Sequence, residues 1–256
     1  MSGLTDAALA AEIAEAAGHV LLAVREELLA SGAEDQRAIA KAGDERAQDF
    51  IAERLAAERP QDAVLSEEAK DDLGRLDAAR VWIIDPLDGT KEFSQGRHDW
   101  AVHVALWEDG ELAAGAVALP GIGQTLRSDD PPAVPAREDD SAPLRFAISR
   151  SHPSELITAV IEESGGDSVA MGSAGFKVCA VVRGEADAYV HAGGQFEWDS
   201  AAPIAVARAA GLFTSRLDGS PMRYNQRDVY LPDLIVCRPA DADRVRAAVD
   251  AATTRA

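Results

Sequence analysis

The stretch Trp82-Ile83-Ile84-Asp85-Pro86-Leu87-Asp88-Gly89-Thr90 decides how this chain is read. Its apolar start predicts a short buried strand over Val81–Ile84. The strand runs into two carboxylates three positions apart, and the chain can turn at Pro86 so that both reach one point. Gly89 and Thr90 follow, a small residue and a hydroxyl where a backbone could close on a phosphate. Upstream, a second apolar run, Ala63-Val64-Leu65, ends in Ser66-Glu67-Glu68; far downstream, Trp198-Asp199 opens a helical segment. Acids at strand ends and at a helix start, without matching His or Cys, suit a hard cation. Mg²⁺ takes oxygen ligands and is commonly held by a few carboxylates together with a substrate phosphate. Taken alone, Asp-x-x-Asp-Gly would be an ordinary turn or helix cap.

Composition narrows the possibilities. The chain has 256 residues, 47% of them hydrophobic, enough for one large domain or two small ones. A net charge of −19 repels nucleic-acid backbone and anionic membrane, so neither is an expected partner. Most of that charge serves solubility. The two cysteines, Cys179 and Cys237, sit in apolar stretches and read as buried free thiols, with no disulfide framework and no zinc site. No signal peptide is read at the N-terminus and no apolar run of membrane-spanning length, so a cytoplasmic protein is expected.

Thr5-Asp6 predicts the N-cap of a long first helix carrying Leu9, Ile13, Val20, Val24 and Leu28 on one face. A second helix is expected over Asp44–Glu58. Trp100–Trp107 alternates as a strand and pairs with Ala113–Leu119. On that strand His103 reads as a satisfied core residue. Arg127–Pro143 is rich in Pro and acid, including Asp129, Asp130, Glu138, Asp139 and Asp140, and reads as a mobile loop or hinge. The expected boundary lies there: an α+β N-terminal metal-binding domain over 1–140 and an α/β C-terminal substrate-binding domain over 141–256. Beyond it, helices are expected over Pro153–Ser164, Ala174–Arg183 and Asp199–Ala210, alternating with short strands.

Glu67-Glu68, Asp85 to Thr90 and Trp198-Asp199, in this order, resemble the three motifs of the lithium-sensitive inositol monophosphatase superfamily, along nearly the whole chain. The resemblance implies a layered αβαβα sugar-phosphatase fold, an α/β class overall. It implies that Asp85 bridges two metal ions, with Glu67 and the Leu87 carbonyl on the first, and Asp88 and Asp199 on the second. Two cations roughly 4 Å apart stabilise both the attacking and the leaving oxygen of an in-line displacement. Catalysis would then rest on Glu67, Asp85 and Thr90, with the Gly89 and Thr90 amides meeting the phosphate. Mg²⁺ is the implied cofactor, as two or three ions, and Mn²⁺ suits the same oxygens. Millimolar lithium sensitivity and a homodimer are further implications. One departure stands out. The family carries an acid six residues before the one matched by Asp44, where it supports the water-activating threonine and a third metal; here the residue is Ala38. Glu34, Asp35 or Asp44 could replace it. Haloacid-dehalogenase-type phosphatases, the rival reading, place their acids two apart and use the first as a covalent nucleophile; the spacing here argues against that.

Within the family, Gly172-Ser173-Ala174-Gly175-Phe176-Lys177 is similar to a stretch of the nucleotidase branch called CysQ, as are His191-Ala192-Gly193-Gly194, Glu197–Pro203 and Asp218–Asn225. That likeness implies removal of the 3'-phosphate from adenosine 3',5'-bisphosphate, a by-product of sulfate assimilation. Gly172, Ser173, Lys177, Trp198 and Arg223 are the implied substrate contacts. Arg216 and Arg227 are further candidate cations, and Phe196 and Tyr224 candidate walls for the base. Two alternatives stand beside this: the same chemistry on inositol-1-phosphate or fructose-1,6-bisphosphate, and a weakly catalytic metal- and nucleotide-binding sensor, suggested by Ala38.

Overall fold

A computed structural model describes residues 3–71, 73–137, 139, 141–151 and 153–255. The acids Glu138 and Asp140 of the predicted loop therefore lie outside the described residues. Five layers stack as α, β, α, β, α, the order the family resemblance implies.

The first layer holds α1 (Asp6–Ala30) and α2 (Gln36–Glu58). Helix α1 begins where Thr5 accepts a hydrogen bond from the Ala8 amide. By length and composition α1 could cross a membrane, contrary to the expectation that no apolar run reaches that length. Its Leu9, Ile13 and Leu21 are instead fully buried against the first sheet. Helix α2 starts earlier than expected because Asp35 caps it, accepting from the Arg37 amide at 2.9 Å.

The first sheet orders β1 (Ala63–Ser66), β2 (Arg80–Asp88), β3 (Ala101–Glu108), β4 (Glu111–Leu119) and β5 (Gln124–Arg127) consecutively, with β1 parallel to β2 and the rest antiparallel. The strand expected to end at Ile84 runs on to Asp88. A register shift against β3 between Asp85 and Asp88 absorbs Pro86, which has no N–H to give a regular ladder. Helix α3 (Thr90–Ser94) follows directly.

The second sheet orders β7 (Asp167–Met171), β6 (Arg145–Ser149), β8 (Ala188–Ala192), β10 (Asp233–Cys237) and β9 (Phe213–Ser215). Its outer face is covered by α4 (Glu155–Ser164) and α7 (Ala242–Arg255), which bury Ile157, Val160, Val245 and Val249. Between the sheets lie α5 (Ala174–Val182) and α6 (Glu197–Ala209). One continuous core joins Val81, Ile83, Ala105 and Val117 of the first sheet to Tyr189, Leu234 and Val236 of the second through these two helices. Cys179 and Cys237 are buried and free, as expected.

Candidate metal centre

Strand alternation decides which side chains meet. Val81, Ile83 and Asp85 point from β2 into the middle layer, while Trp82 and Ile84 point to α1 and α2. Asp85 is thus delivered under the starts of α5 and α6. The register shift turns the chain so that Asp88 faces the same way, and α6 adds Asp199 from its first turn. One carboxylate oxygen from each of Asp85, Asp88 and Asp199 lies within 4.8 Å of the other two. Glu67, at the end of β1, is exposed at its rim, while its carboxyl reaches a hydrogen bond with Asp85.

Each acid is held differently. Asp85 is 1% exposed and accepts from the Leu87 amide at 3.0 Å. Burial, then the charges of Glu67, Asp88 and Asp199, pushes its pKa well above the ordinary carboxylate value. Asp199 is raised to about 7, by burial and then by Asp88; its Oδ2 accepts from the Phe196 amide at 2.7 Å. Asp88 goes the other way. It lies across the start of α5, where Oδ2 accepts from the Ser173 hydroxyl at 2.5 Å and the Gly175 amide at 2.6 Å, and Oδ1 from the Ala174 amide at 3.1 Å. Burial alone would raise its pKa; His103, Ser173 and Gly175 override burial and bring it down to about 2. A carboxylate on the N-terminus of a helix is favoured by the unpaired amides there.

Sequence reasoning placed His103 in the core without giving it a role. It is fully buried, directly opposite Asp85 in the β2–β3 register. Nδ1 lies 3.0 Å from the Trp198 carbonyl, an acceptor only, so Nδ1 carries a proton. Nε2 then faces Asp88 Oδ2 at 3.2 Å, close enough for an ion pair but not aligned as a hydrogen bond. Burial opposes a charged ring, yet Asp88 prevails and the His103 pKa is raised. His103 thus braces Asp88 from below and ties it to the backbone next to Asp199.

Three of the expected substrate contacts gather at the start of α5, and one of them holds Asp88. Ser173 donates to it and also caps α5, from a backbone at φ +50°. Lys177 is buried; its Nζ donates to the carbonyls of Ser173 at 2.5 Å and Gly172 at 3.3 Å. Burial lowers its pKa to about 8 despite four acids nearby. The Gly172 amide donates to Asp99 at 2.6 Å. Gly89, at φ +92°, turns the chain into α3, where the Thr90 hydroxyl donates to the Leu87 carbonyl at 3.2 Å. Trp198 stacks on Phe196 beside Asp199. Arg223 is exposed and lines two hollows, one with Glu111, Arg208 and Pro221 and one with Glu197, Arg216 and Tyr230. Two other candidates are already engaged, Arg216 in a two-bond pair with Asp233, and Tyr224 buried against Ser200.

Of the acids that could stand in for the one missing at Ala38, Asp35 is used as the cap of α2. Asp44 lies close enough to Glu67 and Glu68 that burial and then their charges raise its pKa to about 7. It extends the acidic group towards α2.

The donors are all hard oxygens; burial, and after it the neighbouring negative charges, raise the pKa values of Asp85 and Asp199, and a cation would relieve both. The set fits an oxygen-loving divalent ion. A match to the inositol monophosphatase family spans residues 4–253. The chain belongs to this family. It is 54% identical over 92% of its length to a Mycobacterium leprae protein named 3'-phosphoadenosine 5'-phosphate phosphatase, covering 90% of that protein. A Salmonella typhimurium 3'(2'),5'-bisphosphate nucleotidase CysQ is 31% identical over 74% of this chain and 81% of its own. Among solved structures, CysQ from Bacteroides thetaiotaomicron superposes with a TM-score of 0.77 at 26% identity, covering 93% of this chain and 98% of that one. Membership in the inositol monophosphatase family makes the chain a phosphatase with metal-dependent chemistry, and among the described residues the acid cluster is a place that could hold a metal.

Proposed function

We propose that this chain is a Mg²⁺-dependent phosphomonoesterase that converts adenosine 3',5'-bisphosphate to AMP and phosphate. The observation that carries this reading is the convergence of Asp85, Asp88 and Asp199 beside Glu67 and Thr90. The names of the relatives supply the substrate. Glu67, Asp85, the Leu87 carbonyl, Asp88 and Asp199 would hold the metal, which when bound supplies Lewis acidity at the attacking and leaving oxygens. Water attacks phosphorus and gives up a proton, the P–O3' bond breaks, and the released O3' takes a proton, so that one water is consumed and AMP and phosphate are formed. The Thr90 hydroxyl, fixed by its bond to the Leu87 carbonyl, and the Glu67 carboxylate orient that water. The Gly89 and Thr90 amides meet the phosphate. Ser173 acts by holding Asp88, Lys177 by holding the Ser173 and Gly172 carbonyls and Gly172 by its bond to Asp99, and Trp198 lines the approach to Asp199. Lithium is expected to inhibit by replacing the ion held by Asp88 and Asp199.

The test is phosphate release from adenosine 3',5'-bisphosphate, inositol-1-phosphate and fructose-1,6-bisphosphate, each with Mg²⁺. A strong preference for the nucleotide is expected, with turnover of all three substrates lost in Asp85→Asn. Equal or faster turnover of the sugar phosphates would replace the nucleotidase by a broad monophosphatase. Binding of the nucleotide without phosphate release would turn it into a sensor, and full activity in Asp85→Asn would remove the metal centre from the mechanism.

A further inference from the structure

Three aromatic rings are gathered beside the acid cluster, and two of them face solvent. Phe196 is 39% exposed and Tyr230 46%. Phe196 lies nearly parallel to Trp198, with ring centres 5.1 Å apart and planes inclined by 15°. Tyr230 stands edge-on to Phe196 at 5.7 Å and 70°. Trp198 packs on the central core, so Phe196 is the outer layer of the stack. Single exposed apolar residues need no explanation, but an ordered, solvent-facing stack is unusual in a chain whose other large rings are buried or half-buried.

The stack is rigid and is tied to the metal ligands by backbone. The Phe196 amide donates to Asp199 Oδ2 at 2.7 Å. The Glu197 amide donates to the Val229 carbonyl and the Leu231 amide to the Gln195 carbonyl, which fixes the Tyr230 segment against Phe196. The Gly194 amide donates to the Tyr230 hydroxyl at 3.2 Å. The rings therefore stand at a set distance from the atoms that would hold the scissile phosphate.

We infer that Phe196, backed by Trp198 and edged by Tyr230, is a shelf on which the nucleobase of the substrate stacks, and that it sets the preference for nucleotides over sugar phosphates. This rests on the proposed phosphatase reading and names its specificity-determining residue. A flat π-face suits a base, which gains by stacking, and gives little to an inositol or a sugar, whose ring is saturated and hydroxylated. The rival location is a cavity of about 570 Å³ between α4 and β8, lined by Ile148, Ile157, Thr158, Ile161, Val190 and His191.

The experiment compares adenosine 3',5'-bisphosphate with an abasic ribose 3,5-bisphosphate, which keeps both phosphates and lacks the base. Wild-type chain is expected to have a much lower KM for the nucleotide. Phe196→Leu keeps apolar bulk without a π-face, and should raise the nucleotide KM about tenfold while moving the abasic KM far less. Phe196→Trp should keep the preference. The bond to Asp199 uses the Phe196 backbone and survives both changes. A nucleotide preference unchanged in Phe196→Leu, or lost in Thr158→Trp while Phe196→Leu retains it, overturns the shelf and moves the base to the cavity. Turnover of the nucleotide without any preference over the abasic compound overturns the shelf but leaves the phosphatase standing. Turnover of neither removes both.

Discussion

Gly175 has no side chain because His103 stands where one would go: a Cβ there would lie 2.0 Å from Nε2. The close approach lets the Gly175 amide reach Asp88 at 2.6 Å. Gly175→Ala should therefore push the imidazole and the start of α5 apart, destabilising the chain by about 1–3 kcal/mol, the usual range for overpacking. His103→Ala removes the obstacle, so the double variant should lose less than the two single changes added together. Thermal unfolding of all four chains gives the coupling, and strictly additive losses would mean that His103 is not what Gly175 makes room for. The acids themselves were legible in sequence, because their spacing and their place at strand ends carry the chemistry. The bracing histidine was not. Its clue is the Asp85↔His103 register, and that register spans the long connection from Gly89 to Trp100 rather than a tight turn whose type would fix it.

At the scale of elements, the starts of two helices favour the charged form of two acids of one cluster, with opposite net results. His103 and then the start of α5 outweigh burial and hold Asp88 charged, down to about 2, whereas at the start of α6 burial and Asp88 outweigh the Phe196 amide and raise Asp199 to about 7. A carboxyl whose folded pKa is raised contributes stability that is complete below its unfolded pKa and lost as pH rises through the folded value. Metal-free protein should thus lose stability between about pH 4 and about pH 8 through Asp199, with Asp85 acting in the same direction. Mg²⁺ competes with the proton on Asp199, so the rise in Tm on adding Mg²⁺ should be larger at about pH 8 than at about pH 6. An increment independent of pH would show that Asp199 does not exchange its proton for the metal. Element types were mostly readable, since period and caps are local. The limits were not: α2 begins at Gln36 because Asp35 caps it, and its Gly43 is a contact residue, where a Cβ would meet Phe93 of α3 at 2.8 Å. Helix α3 itself, five residues long, has no periodicity to read.

For the whole molecule, the order of layers matters more than the boundary near residue 140. The acidic linker does separate two sheets, the first ending at Arg127 and the second starting at Arg145. We propose it as a topological boundary between an N-terminal part over 1–140 and a C-terminal part over 141–256. The middle helices, however, belong by sequence to the second part and bury Val81, Ile83, Ala105 and Val117 of the first. Without them one face of the first sheet, with Asp85 and Asp88 on it, would be open to water. Burial of that face contributes at roughly 25 cal/mol per Å² of apolar surface. The acid cluster is divided in the same way, with Asp85 and Asp88 on one side of the linker and Asp199 on the other. Residues 1–140 expressed alone should therefore show no cooperative thermal transition and no Mn²⁺ binding by calorimetry, and residues 141–256 should bind none either. Mixing the two parts should restore both signals if the interface between the first sheet and α5–α6 is what folds the molecule. A cooperative transition in isolated 1–140 near the Tm of the whole chain would show that the first sheet and its two outer helices form a self-sufficient core, and that the metal centre assembles between two finished halves rather than folding with them.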